Sequence, residues 1–192
     1  MPRKKITYLD FLHAVRAAGN VAEENRVIVF GSNAIIPWLN QKMNFETSED
    51  IDITFFDDTS EEKTTDVDGS LGESSLFHKT FGFWIHGVPI DENRFPKGWK
   101  ERLVKIDDEE CLEGKVAYVL SPSDLAAVKL AAGRDKDFPF VENLLYYNIV
   151  DDDTVRDCIN LLPQRKEIAL ANLEICLIRH RKRIDEENSM MF

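Results

Sequence analysis

No apolar run in this 192-residue chain approaches the ~20 residues that a membrane-spanning helix needs. The opening MPRKKITYLD passes directly into an amphipathic pattern, without the apolar core of a signal peptide. A cytoplasmic protein with no membrane contact is expected. Cysteine is scarce: Cys111, Cys158 and Cys176 are odd in number, far apart, and without the paired spacing of a zinc site or a redox dithiol. Reduced thiols are the expectation. Basic residues are outnumbered, with 24 Lys and Arg against 35 Asp and Glu. The resulting net charge of −11 excludes a general nucleic-acid-coating surface, while leaving room for a local basic cleft. The histidines at 13, 78, 86 and 180 lack partners at metal-ligand spacing. Packed or exposed polar roles are expected of them, with His86 set apart by its place in a strand pattern. The segment DDTSEEKTTDVD at 57–68 has no periodic apolar face, so it reads as a solvated loop. It does not form an EF-hand either: with Asp66, Asp68 and Gly69 at loop positions 3, 5 and 6, position 12 falls on Ser75 instead of a bidentate Glu.

What is present is a globular composition, 43% hydrophobic and 31% charged. Ile6, Leu9, Leu12 and Val15 recur at helical spacing and predict a helix over 6–18, stopped by Gly19. Val27 to Phe30 reads as a buried strand, followed by a turn at Gly31-Ser32 and a helical stretch over 33–41 that tolerates Pro37 near its start. Ile51, Ile53 and Phe55 alternate with Asp50, Asp52 and Thr54, the period-2 signature of a strand. Strands are also predicted over 81–88, ended by Pro89, and over 116–120. Ser121, Pro122 and Asp124 supply the cap, first position and third position of a helix. From Asp153 the pattern is helical, divided by Pro163. The fold class is therefore α/β (α+β), with an α/β domain over 1–150 and C-terminal helices over 151–192.

The stretch VIVFGSNAIIPWLNQKMNFETSEDIDITFF, residues 27–56, carries the chemistry. Side chains two apart on a strand point the same way, about 6.5–7 Å apart at Cα. Asp50 and Asp52 so placed repel each other unless a cation lies between them. Mg²⁺ suits that position, since it takes oxygen ligands from one or two carboxylates together with substrate phosphates. Gly31-Ser32 supplies a complementary feature, because a glycine turn opening a helix lets a phosphate approach backbone amides and a serine hydroxyl.

These residues resemble a known pattern. VFGSNAI followed by SEDIDITF is similar to the signature of the polymerase-β-like nucleotidyltransferase superfamily, and LGESSLFHKTFGFWIHGV, FPKGWKERLV and DLAAVKLAAGRDKDFPFVENLL resemble a bacterial branch close to the AbiEii-type nucleotidyltransferase toxins. The resemblance extends from about residue 26 to 150. It implies a mixed sheet flanked by helices, with Gly31 and Ser32 as the triphosphate-binding turn and Asp50 and Asp52 as ligands of Mg²⁺ or Mn²⁺. It further implies that Lys129, Arg134 and Lys136 face the phosphates. On the residues alone, a snorkelling lysine and a solvated helix end are the favoured reading, which the resemblance reverses. The superfamily's third carboxylate belongs on a neighbouring strand, but the strand over 81–88 contains no acid. His86 stands there, and Asp91 is the nearest candidate for a catalytic carboxylate.

The function implied is transfer of a nucleoside monophosphate from an NTP to a hydroxyl on RNA, tRNA in particular, or on protein. A toxin–antitoxin or phage-defence setting would bring an antitoxin partner. Two alternatives stand beside it: a catalytically weak nucleotide- or RNA-binding module of the same fold, and an interaction protein whose acids merely face solvent. Trp84 and Trp99 suit base stacking or core packing. RHRKR at 179–183 suits an RNA backbone, or the solvated last turns of a helix paired with the following acids.

Overall fold

Alternation along Asp50–Thr54 buries Ile51 and Ile53 completely and leaves Asp50 and Asp52 part-exposed, which fixes the face that this strand turns inward. Burying each isoleucine is worth about 1.5–3 kcal/mol, so the acids are held outward by the packing of their neighbours. The computed structural model describes residues 4–41 and 43–190. Its strands β1 (Arg26–Phe30), β2 (Asp50–Thr54), β3 (Trp84–Gly87), β4 (Val104–Ile106) and β5 (Val116–Val119) form one mixed sheet in the order β3-β2-β1-β5-β4. β2 runs antiparallel to β1 and parallel to β3; β5 runs parallel to β1 and antiparallel to β4. With flanking helices and a helical C-terminal part, the class is α+β.

The chain divides into two compact units. The sheet unit takes residues 4–39, 47–90 and 100–121. In it, α1 (Tyr8–Val21) starts with a capping box, in which the Thr7 hydroxyl accepts from the Asp10 amide and the Asp10 carboxylate accepts from the Thr7 amide. Gly19 was the predicted stop, yet the helix continues two residues past it, because Gly19 is buried within its last turns.

The predicted loop over 57–68 is half wrong. Residues Glu62–Leu71 form helix α2, whose Thr64, Val67 and Leu71 are buried at helical spacing. The Asp58 carboxylate accepts from the amides of Lys63 and Thr64 and so anchors its first turn. Only three of its positions face inward, and one of them is a threonine, so the apolar periodicity was too thin to register. The predicted strand over 81–88 also shortens, because Phe81 ends helix α3 (Leu76–Phe81), capped by Ser75; a single-turn helix α4 (Glu109–Leu112) precedes β5.

Helix α2 lies against β3 at Gly87. A Cβ there would come within 2.8 Å of the Thr64 carbonyl carbon, closer still to its oxygen. Gly87→Ala is therefore expected to push α2 off the sheet and cost about 1–3 kcal/mol. Thermal unfolding would read this, and an unchanged midpoint would mean that the helix has room to give.

The helical unit takes residues 40–46 (residue 42 apart), 91–99 and 122–190. Helix α5 (Pro122–Ala132) is its centre, packed by α6 (Asp137–Tyr146), α7 (Asp152–Asn160) and α8 (Lys166–Met190). Leu125, Ala126, Ala127 and Leu130 of α5 are buried, and Ala169, Leu173 and Cys176 of α8 likewise. Phe45 joins this core, 5.3 Å from the Phe140 ring and 5.8 Å from that of Tyr147. Pro163 lies between α7 and α8, as the sequence predicts. No helix among the described residues is long and apolar enough to cross a membrane.

Candidate active site

The register of the sheet brings the β2 acids to one place. Asp52 lies opposite Phe30 of β1 and opposite His86 of β3, and Asp50 lies opposite Trp84. Ile51, Ile53, Ile85 and Gly87 occupy the face that α2 covers, so Asp50, Asp52 and His86 share the other. The two carboxylate side chains are 24% and 22% exposed, which leaves them accessible yet only partly hydrated. His86 Nδ1 lies 3.2 Å from Asp52 Oδ1 and 4.0 Å from Asp50 Oδ2. One ligand atom from each of the three side chains falls within 4.8 Å of the others. The hydrogen bond to Asp52 raises the His86 pKa above its ordinary value; burial opposes this, and the charges of Asp52, Asp68 and Asp50 add to the rise.

Gly31 forms one wall of this group. Its φ of +69° and ψ of −166° are a glycine conformation, and a Cβ at this position would fall on the Asp52 carboxylate. The helix predicted over 33–41 is instead a 3₁₀ segment, Ser32–Trp38, tightened around Pro37. Within it Asn33 is buried, and its Nδ2 donates to the carbonyl oxygens of Ser48 (2.9 Å) and Asp50 (2.6 Å). Asn33 thereby ties the Gly31-Ser32 turn to the entry of β2. Asn33→Ala should cost about 1–3 kcal/mol, because it removes the hydrogen bonds that a buried amide donates to the Ser48 and Asp50 carbonyls. Chemical denaturation would measure the loss, and a change below about 0.5 kcal/mol would mean that water replaces the amide.

Residues 10–175 match DUF6036, a family described as nucleotidyltransferases of unknown function. The chain belongs to this family. No curated protein and no solved structure matches it. The DUF6036 match runs from within α1 to within α8, so the β2 acids, the Gly31-Ser32 turn and the helical unit's charged cluster all lie inside it.

The remaining predicted site residues of this DUF6036 chain lie in the helical unit. Asp91 is exposed and caps a short 3₁₀ turn, Glu92–Arg94, its carboxylate accepting from the amide and side chain of Asn93. Lys129 is 4% exposed; its Nζ is 3.3 Å from Asp137 Oδ1 and 4.2 Å above the Phe140 ring. Arg134 grips the same carboxylate with a fork, Nε to Oδ2 at 2.7 Å and Nη2 to Oδ1 at 3.1 Å. Lys136 is exposed. Sequence reading took the cations and passed over Asp137, since Gly133 breaks the helix between them and no helical spacing links Lys129 to position 137.

A cavity of about 270 Å³ in the same unit is lined by Arg94, Arg134 and Arg165 with Asn93 and Gln164, over a floor that includes Val128 and Ala131. The basic run at 179–183 lies on α8, where Arg179 pairs with Glu142, Lys182 with Glu186 and Arg183 with Glu187. Cys111, Cys158 and Cys176 form no disulfide with one another, and burial pushes the Cys176 thiol up to about 12, far from a nucleophile's range.

Proposed function

We propose that this DUF6036 protein transfers a nucleoside monophosphate from an NTP to a hydroxyl, with Asp50 and Asp52 holding a divalent ion of the Mg²⁺ or Mn²⁺ type. The observation that carries this reading is the pair of part-exposed carboxylates on one face of β2, directly against the glycine of the Gly31-Ser32 turn. The residues fit the ion: two carboxylates and an imidazole converge within 4.8 Å, where a Cβ on Gly31 would collide with one of them. A bound ion would polarise the attacking oxygen and stabilise charge on the leaving pyrophosphate.

The chain's own residues supply the rest. Backbone amides of the Gly31-Ser32 turn and the Ser32 hydroxyl orient the triphosphate for in-line attack. The resemblance assigns Arg134 and Lys136 to the phosphates, while Lys129, which it also assigns there, is buried against Asp137 and Phe140 and supports the carboxylate that Arg134 grips. The three guanidinium groups around the helical unit's cavity suit phosphate chemistry as well. The acceptor oxygen bonds to the α-phosphorus as the bond from that phosphorus to the bridging oxygen breaks. Asp91 is the carboxylate assigned to take the hydroxyl proton. The leading acceptors are the 3′ end of a tRNA and a protein hydroxyl, and an antitoxin partner follows if the resemblance to AbiEii-type toxins extends to biology.

A second reading, a nucleotide-binding module that has lost turnover, draws on one observation: β3 places His86 beside Asp52 where an acid is expected. Incubation with each α-labelled NTP, a divalent ion, total tRNA and cell protein separates the two. Label carried onto a macromolecule with pyrophosphate released supports the enzyme. Ion-dependent nucleotide binding with no transfer to any acceptor supports the module.

A further inference from the structure

An acid on β3 would complete an all-oxygen site, and an all-oxygen site is what Mg²⁺ demands. This chain offers nitrogen instead. His86 pairs in register with Asp52 across two parallel strands, so its place is set by backbone hydrogen bonding and not by a mobile loop. Its Nδ1 stands 3.2 Å from one carboxylate oxygen and 4.0 Å from another. Atoms bound about 2.1 Å from one octahedral ion stand about 3 Å apart when adjacent and about 4.2 Å apart when opposite. The two separations from His86 thus lie near those that a single small ion imposes, and the ligand atoms of all three side chains fall within 4.8 Å of one another.

We propose that His86 is the third protein ligand of the centre, and that its nitrogen makes the site select a first-row divalent transition ion over Mg²⁺. The proposal rests on the reading of Asp50 and Asp52 as metal ligands. Imidazole binds first-row transition ions well and gives Mg²⁺ little, whereas carboxylates and phosphates serve both, so one nitrogen tips the balance. Mn²⁺ is the fitting probe: it keeps the charge and the taste for carboxylate and phosphate that a nucleotidyl transfer requires. His86 is then a ligand and a selectivity determinant.

The test is direct binding of the metal alone to the intact protein, above the ordinary histidine range. Free Mn²⁺ would be followed by electron paramagnetic resonance and Mg²⁺ by competition. Wild type should bind Mn²⁺ at least about ten-fold more tightly than Mg²⁺. His86→Ala should weaken Mn²⁺ at least about ten-fold, the lower end of what even outer-shell changes cost, and leave Mg²⁺ nearly unmoved. His86→Asp should raise Mg²⁺ affinity and reverse the preference. The half-exposed side chain makes both variants compatible with folding, and circular dichroism checks it. Equal Mn²⁺ binding by wild type and His86→Ala, or no preference in wild type, overturns the proposal while leaving the carboxylate site intact. Binding of either ion that survives Asp50→Ala instead overturns the reading beneath it.

Discussion

Transfer of labelled nucleotide is expected to fall at least about a thousand-fold in Asp52→Ala, since a metal-held charge contributes several kcal/mol to such a transition state and about 4 kcal/mol is three decades of rate. Asp52 touches His86, opposes Phe30, and abuts Gly31. On the proposed reading its removal takes away a metal ligand and the charge that attracts the ion, and with them the hydrogen-bond partner of His86. The metal-free fold should suffer little, because relief of the repulsion between two like charges on one strand face offsets the hydrogen bond lost to the half-exposed His86. Asp52→Ala should therefore unfold at the same temperature as wild type or slightly higher, the signature of a residue kept for chemistry. Asp52→Asn separates charge from shape and should lose nearly as much activity. Activity within ten-fold of wild type in either variant would remove Asp52 from the reaction.

The second large effect is on stability. Asp137→Asn is expected to destabilise the helical unit by about 3–5 kcal/mol, because it withdraws the carboxylate from a lysine buried to 4% exposure and from the Arg134 fork. For a chain of this size that is a fall of about 6–20 °C in melting temperature. Lys129→Met added to Asp137→Asn should recover part of the loss, since the penalty lies in the buried charge that remains.

The same carboxylate gives an acid limb. Burial works to raise the Asp137 pKa, but the Arg134 hydrogen bonds and the charges of Lys129 and Arg134 outweigh it and hold the pKa below its ordinary value. A carboxylate depressed in the fold contributes stability above its unfolded pKa of about 3.9, and loses it as pH falls through the depressed folded value. Lys129 behaves differently. Burial keeps its pKa low although Asp137 opposes this, so the cost of charging it is relieved only toward the ordinary lysine range near 10.4 and leaves the acid limb untouched. Denaturation followed from neutral to strongly acid pH should show wild type converging on Asp137→Asn; a constant gap would mean that the pair contributes no linked protons.

Local pattern carried far in this chain, and its failures are instructive. Alternation of isoleucine with aspartate announced β2 and its two faces; Ser121-Pro122 announced α5; Pro163 announced the break before α8. Helix α2 escaped notice because its buried side is only Thr64, Val67 and Leu71 among acids. The stretch after Gly31 looked helical by its apolar content, but Pro37 and the backbone at Gly31 hold it in a tighter turn.

The sequence by itself determined that Asp50 and Asp52 share one face of a strand, that a Gly-Ser turn precedes them, and that helices fill the C-terminal part, because each follows from the spacing of neighbours along the chain. Only the tertiary structure decided that His86 joins the two acids and that Asp137 joins Lys129 and Arg134. The first depends on β2 and β3 pairing in parallel with Asp52 opposite a residue 34 positions later, and the second on the turn that a break at Gly133 allows. Strand register and the packing of one helix on the next are settled by the burial of whole faces at once, and no short window of sequence contains that sum.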